Sequence, residues 1–200
     1  MSRKFQCRAI PSTWLEHNGR RLDCGPYMSG AIEAIELLKK FQTEPLDSVT
    51  EGIFHAGREG RQYVIDAEHG VPFMGSTDIL AFDLSSQPLL SKRQVEKNPN
   101  FIIRKGWTLI TRSGTTGRMA FGREAMDGMA CSEHVMRVVP NTEKVKPGYL
   151  YAFLSSRFGI PIVVSGTYGS IIQSIEPHHV ANLPVPRLGQ IEERANRLVE

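Results

Sequence analysis

The sequence has few cysteines and no long apolar run, and each of these absences excludes a class of protein. Its 200 residues include only Cys7, Cys24 and Cys131, widely spaced and odd in number, so a disulfide framework is not expected. No apolar stretch approaches the roughly 20 residues that a membrane span needs, and no apolar signal segment follows Met1. We therefore predict a cytoplasmic protein, with enough hydrophobic residues (40%) for a real core.

Motifs for catalysis and metal binding are also scarce. Cys131 and His134 have a Cys-x-x-His spacing, but no second pair lies at the distance of a zinc site, so no metal is predicted. Residues 98–101 resemble the Asn-Pro-Pro-Tyr/Phe motif of amino-methyltransferases, but Asn100 replaces the second proline and no glycine-rich cofactor loop precedes it. Residues 166–170 lack the Lys-Ser/Thr ending of a P-loop. We predict turns at both places and no catalytic residue.

The positive charge of the chain is concentrated in one segment. Between Lys92 and Arg123 the basic residues outnumber the acids by eight to one and give +7, although the whole chain has a formal net charge of only +3. The basic residues are Lys92, Arg93, Lys97, Arg104, Lys105, Arg112, Arg118 and Arg123. This concentration favours contact with a nucleic-acid backbone; the alternative is a solvated surface whose charges only maintain solubility.

The centre of this segment is typical of a β-hairpin. Strand-forming residues occupy 108–111 and 118–121, and the residues between them are small or polar. Arginines and hydroxyls on a glycine-containing turn suit contact with phosphates and base edges. We predict base contacts for Arg112 and Arg118, and phosphate contacts for Lys92, Arg93 and Lys105. The remaining predicted contacts in the segment are Arg104, Ser113, Thr115 and Thr116.

Periodicity predicts helices at both ends of the chain and short strands between them. Apolar residues at helical spacing favour helices at 29–42, with Ser29 as the N-cap, at 147–158 and at 190–200. Strands are predicted at 53–55, 62–65, 72–74, 108–111, 118–121, 134–139, 162–164 and 183–185. The last helix, about 16 Å long, is either the start of a docking helix or a surface helix on its own domain.

Five of these segments, in this order and spacing, resemble the target recognition domain of a type I restriction-modification specificity (S) subunit. They are Gly70–Ile79, Lys105–Gly117, Pro147–Leu154, Gly166–Ile175 and Leu183–Ile191. The resemblance covers residues 46–200. Trp107 and Thr108 stand where the family usually has Gly-Asp, and Gln190 follows Gly189 where the family has Glu-Gln.

The resemblance implies an α+β fold with small twisted mixed or antiparallel sheets and flanking helices. It divides the chain into a helical N-terminal lead-in (1–45), a target recognition domain (46–188) and the start of a conserved spacer helix (189–200). It implies sequence-specific binding of double-stranded DNA by a non-catalytic subunit that reads one half of a bipartite target. A complete S subunit has two such domains, so the chain is expected to correspond to about half of one.

The resemblance also implies further contacts and partners. It assigns DNA contacts to Ser76 and Thr77 and to Tyr168, Ser170 and Gln173; a glutamine can bond to an adenine edge. The expected partners are DNA, methyltransferase subunits docked on the C-terminal helix, and a restriction-translocase subunit. No cofactor is expected in this chain, because S-adenosylmethionine and ATP would belong to those partners. Two alternatives stay open: the recognition domain of a fused type IIG enzyme, and a small-molecule enzyme that uses residues 166–170.

Overall fold

A computed structural model of the protein describes residues 7–17, 22–167 and 174–200. The α-helices in these ranges are α1 (Ser12–His17), α2 (Gly25–Met28), α3 (Ala31–Leu38), α4 (Lys92–Lys97), α5 (Pro147–Leu154), α6 (Gly159–Ser165), α7 (Pro177–Val180) and α8 (Gln190–Val199). The strands are β1 (Thr43–Pro45), β2 (Thr50–Phe54), β3 (Tyr63–Val64), β4 (Gly70–Met74), β5 (Leu89–Ser91), β6 (Thr108–Thr111), β7 (Met119–Phe121), β8 (Ala130–Cys131), β9 (Val135–Pro140) and β10 (Pro184–Pro186). Within the described ranges, no helix is long and apolar enough to cross a bilayer.

The strands form small sheets that confirm the predicted α+β fold. One sheet has the order β2-β9-β6-β7 and is antiparallel throughout. A second has the order β3-β5-β4-β8 and is mixed, because β4 and β8 run parallel. Strands β1 and β10 form a separate antiparallel pair. The predicted hairpin is therefore the β6–β7 edge of the first sheet.

The main hydrophobic core joins the N-terminal helix, the sheet and the later helices. It contains Leu38 of α3, Ile110 of β6, Leu150 of α5 and Val163 of α6, all buried. Each such side chain contributes roughly 2 kcal/mol when it is fully buried. Helix α8 packs on α5, where the Asn196 side chain accepts a hydrogen bond from the backbone at 2.8 Å. Elements of all three predicted parts therefore pack together, and the boundaries at 45 and 188 stay predictions.

Several predicted elements differ from the structure. Residues 162–164 were expected to be a strand from their β-branched side chains, but they lie in α6, where Ile162 and Val163 pack in the core. Helix α3 begins after Gly30, whose φ of 83° only glycine adopts easily, so Ser29 is not the N-cap. That helix ends at Leu38 rather than Gln42, because the chain then turns to form β1.

Candidate nucleic-acid interface

The turn between β6 and β7 is closed by backbone and hydroxyl hydrogen bonds. The Gly117 amide donates to the Thr111 carbonyl at 2.9 Å, and the Thr111 hydroxyl donates to the Thr115 carbonyl at 2.6 Å. Gly114 and Gly117 have positive φ angles of 79° and 82°, in the region that favours glycine. The sequence Ser-Gly-Thr-Thr-Gly therefore forms a compact polar turn, as predicted.

The side chains predicted to contact nucleic acid at this turn differ in exposure. Thr115 and Arg118 are exposed, whereas Ser113 and Thr116 are half-buried. The inner side of the turn rests on α6, because a Cβ atom on Gly117 would clash with a valine of that helix. A ligand can therefore reach the turn from its outer side, where Thr115 and Arg118 are exposed.

Arg112 is buried, which corrects the expectation that it projects from the turn. Its side chain is only 4% exposed, and its guanidinium forms an ion pair with Glu176. Its Nε also donates to the Ile175 carbonyl at 3.1 Å. The physical reason is that Arg112 directly follows β6, within reach of inward-facing carbonyl and carboxylate acceptors.

The described end of the second predicted segment lies beside the same turn. Tyr168, Ser170 and Gln173 lie outside the described residues, so their DNA contacts stay predictions. The first described residue after them, Ser174, forms an antiparallel bridge with Ser113. The two segments predicted from separate parts of the sequence are therefore adjacent at this point.

A third polar segment, residues 132–134 between β8 and β9, also lies against the turn. The Ser113 hydroxyl is 2.5 Å from Nδ1 of His134. The Arg112 amide donates to the His134 carbonyl at 2.8 Å. The hairpin turn thus has polar neighbours on both sides.

Ser76 and Thr77 follow β4 in a loop fixed by Asp78. The Asp78 carboxylate accepts a hydrogen bond from a backbone amide of this loop at 2.7 Å. The Ser132 amide donates to the carbonyl of Met74, the last residue of β4, at 3.0 Å. Ser76 is half-buried and Thr77 is exposed, where the chain leaves the sheet beside residues 132–134.

Two carboxylates balance part of the positive charge of this site. Arg61 donates a hydrogen bond to the Glu133 carboxylate at 2.9 Å. Burial alone would raise the pKa of Glu133, but the hydrogen bonds from Arg61 and from the backbone outweigh burial, so the pKa is lowered. His55 lies 3.4 Å from Glu176, and its pKa is lowered by burial and then by the charge of Arg112. At neutral pH we therefore expect an ionised Glu133 and an uncharged His55.

The basic residues of the segment lie on elements of both sheets, and whether they form one patch stays a prediction. Lys92 and Arg93 are exposed on α4, which packs on the sheet containing β4 and β5. Arg118 is exposed on the hairpin of the other sheet. The topology thus distributes charges that are close together along the chain.

Arg104 and Lys105 lie at the far end of the hairpin from the turn and have acidic neighbours. Lys105 precedes β6, and its ammonium group is 2.7 Å from Glu124. The Arg104 guanidinium is 3.7 Å from Asp127. Because these four side chains are exposed or nearly so, the ion pairs contribute little stability and leave both cations accessible to phosphates.

Several residues that organise the site could not be identified from the sequence. They are Arg61, Glu133, His134 and Glu176. Apart from the isolated Cys-x-x-His spacing that ends at His134, their spacing along the chain matches no known motif, and only the fold brings them together. A polar residue that organises a site can be recognised from sequence only when its partner lies within one helix turn or on a paired neighbouring strand.

The structure offers no metal site in its described ranges, where no three His, Cys, Asp or Glu side chains are placed to hold an ion. Cys131 is buried in a hydrophobic cluster with Met74 and Val135. Burial raises the pKa of its thiol to about 11. Cys131 therefore behaves as a core side chain at neutral pH.

Two solved structures of type I restriction-modification systems share this fold. One is the HsdS subunit from Thermoanaerobacter tengcongensis, with 14% identity and a TM-score of 0.55 over 94% of this chain. The other is from a structure that describes complex assembly and conformational transition of the type I R-M system. It has 14% identity and a TM-score of 0.50 over 94% of this chain. In each case the chain spans 47% of the length of the solved protein.

Comparison with sequences gives a more specific result. Curated proteins gave no match. The family model of the type I restriction modification DNA specificity domain matches residues 52–188, which include most of the first sheet, all of the second, the β6–β7 turn and the segment at Ser174. The chain therefore belongs to the family of type I restriction modification DNA specificity domains, as the resemblance in its sequence predicted.

Proposed function

We propose that this chain is a non-catalytic specificity domain that reads one half of a bipartite target in double-stranded DNA. The observation that carries this proposal is the bridge between Ser113 and Ser174, which joins the hairpin turn to the second predicted loop. Two adjacent polar loops can reach neighbouring base edges in one major groove. Membership of the specificity-domain family supports DNA as the ligand.

Base reading and phosphate contact are assigned to different residues. Arg118 and Thr115 are exposed at the turn and can meet base edges. Lys92, Arg93 and Lys105 are exposed on other elements and are assigned to phosphates, which set register without reading sequence. The separation of these residues in the structure supports this division of roles.

We expect DNA binding to weaken strongly with salt. If about four cations contact phosphates, the slope of log K against log salt is near −4 through counterion release. Replacing Lys92 or Lys105 by Ala should lower affinity about equally for all sequences and reduce the slope by about one. Titrations of duplex DNA at several salt concentrations measure both quantities.

A matched control is Lys40→Ala, which removes an exposed lysine that follows α3. This variant should leave the slope unchanged. A slope near zero for the unaltered chain, or equal losses in the control and in the Lys92 and Lys105 variants, would contradict the assigned phosphate contacts.

We propose that partner subunits supply the chemistry. Helix α8 buries Glu192 and Asn196 but leaves Ile191 60% and Leu198 81% exposed, so its outer face has apolar residues available for a methyltransferase subunit. In this scheme S-adenosylmethionine belongs to that subunit and ATP to the restriction subunit. The exposed apolar face of α8 is the observation that favours docking there.

We expect the chain alone to transfer no methyl group. The Asn98 side chain, in the motif that resembles a methyltransferase, donates to the Ala56 carbonyl at 2.7 Å and to Glu59 at 2.9 Å, so it is engaged in holding the fold. Incubation of the chain with labelled S-adenosylmethionine and DNA should leave the DNA unlabelled. Label that appears with the unaltered chain and disappears with Asn98→Ala would overturn the non-catalytic assignment.

A further inference from the structure

Arg112 joins three separate segments of the chain at the base of the β6–β7 turn. Its amide donates to the His134 carbonyl at 2.8 Å, and its carbonyl accepts from the Ile175 amide at 2.8 Å. Its side chain strengthens the contact with residues 175–176, because Nε donates to the Ile175 carbonyl and the guanidinium pairs with Glu176. One residue thus fixes the turn relative to both of its polar neighbours.

The partner of Arg112 is itself held in place from two sides. The Glu176 carboxylate caps the N-terminus of α7, and the Glu176 amide donates to the side chain of His179 at 3.1 Å. The second carboxylate oxygen lies 3.4 Å from Nε2 of His55, which follows β2. The ion pair is therefore a rigid link between the hairpin, the first sheet and α7.

We infer that Arg112 is a positioning residue for sequence specificity, which acts by holding the hairpin turn at a fixed distance from residues 174–176. This inference rests on the proposed DNA-reading function and changes the role of Arg112 in it. Two loops that read neighbouring bases must be aligned within about 0.5 Å. Arg112 meets this requirement from a buried position, and exposed side chains of the turn, such as Arg118, make the contacts.

The positioning role predicts that specificity and general affinity respond differently to substitution. Arg112→Lys keeps the positive charge but loses the planar fork that bonds Ile175 and Glu176 together. We expect the preference for the selected sequence over unrelated duplex to fall roughly tenfold, the effect of one lost base discrimination. Affinity for unrelated duplex should change by less than about twofold, because the assigned phosphate contacts lie on other elements.

The experiment is a binding-site selection from randomised duplex DNA, with the full chain assembled with its methyltransferase subunit. The wild type, Arg112→Lys and the matched control Arg58→Lys, which alters an exposed arginine, are compared after thermal melting shows each to be folded. A folded Arg112→Lys variant that keeps the full sequence preference would overturn the inference.

A cross-link separates positioning from direct base contact. Ser113 and Ser174 are bridge partners, and such antiparallel pairs have Cα atoms about 4.5–5.5 Å apart, within the range of a disulfide. Ser113→Cys and Ser174→Cys are introduced together, with the exposed Cys7 and Cys24 changed to Ser. If Arg112 positions the turn, oxidation should raise the preference of Arg112→Lys to that of the same oxidised cysteine variant with Arg112 present, and reduction should abolish the gain. Failure of the oxidised variant to recover would overturn the inference.

The rate of cross-linking gives a readout that needs no DNA. We expect the disulfide between positions 113 and 174 to form several-fold more slowly in Arg112→Lys than with Arg112 present, because the two segments are then less often aligned. Equal rates would overturn the positioning role. If the wild-type assembly selects no consensus, the proposed DNA function fails, and the cross-linking rate still decides whether Arg112 positions the turn.

Discussion

Replacing Arg137 by Ala is expected to lower the free energy of unfolding by about 4 kcal/mol, because the substitution removes a charged donor from four buried carbonyl groups. Arg137 is completely buried in β9. Its guanidinium donates to the carbonyls of Ser132 at 2.9 Å, Val135 at 2.5 Å, Phe101 at 3.0 Å and Cys131 at 2.5 Å. Each lost hydrogen bond from this charged donor costs about 1 kcal/mol or more.

The charge of Arg137 is held by these carbonyl dipoles at the junction of the two sheets. Burial lowers the pKa of its guanidinium, but an arginine stays protonated in a folded protein. The four contacts come from the 3-10 segment at Phe101, from the end of β8 and the residue after it, and from the start of β9. Its loss should therefore also loosen residues 132–134, which contact the hairpin turn.

Urea unfolding followed by tryptophan fluorescence measures this effect, since Trp107 packs edge-on against Phe54 at 5.9 Å between ring centroids. Arg137→Met retains much of the volume but no donor, and separates the hydrogen bonds from the packing. Arg58→Ala, at an exposed position, should change stability by less than about 0.5 kcal/mol. A loss below about 1 kcal/mol in both Arg137 variants would show that the carbonyl cluster contributes little.

Replacing Gly159 by Ala is expected to cost about 3 kcal/mol, because the added methyl group would meet backbone that cannot move away. Gly159 is the first residue of α6, directly after the connection from α5. A Cβ atom there would lie 2.7 Å from the carbonyl carbon of Leu154 and closer still to the carbonyl oxygens of Phe153 and Leu154. Relief requires the two helices to separate, and both bury side chains in the main core.

Gly60→Ala is the matched control for this substitution. A Cβ atom on Gly60 would meet nothing within 4 Å, and its backbone is not in the left-handed region. Alanine there should leave stability unchanged or raise it by up to about 1 kcal/mol through a smaller entropy of the unfolded chain. Equal denaturation midpoints for the two variants would contradict the close approach of α5 and α6.

Much of the secondary structure could be predicted because it depends on local patterns. The strand at 108–111 and the start of the helix at Pro147 agree with the structure, since alternation, turn glycines and an early proline act within a few residues. The strand predicted at 162–164 was wrong for the same reason. Its β-branched residues favour a strand locally, but packing against the core selects a helix. A sequence pattern cannot show whether local strand propensity or burial against the core is the stronger effect.

The sequence by itself determined the family, the α+β class and the polar turn at 113–117, because these follow from residue types and their order along the chain. Only the tertiary structure decided which charged side chains are free. It buried Arg112 against Glu176 and enclosed Arg137 in carbonyl groups, while it left Arg118 exposed. The physical reason is that an arginine is placed by the acceptors within its reach, and residues far away in the sequence supply those acceptors.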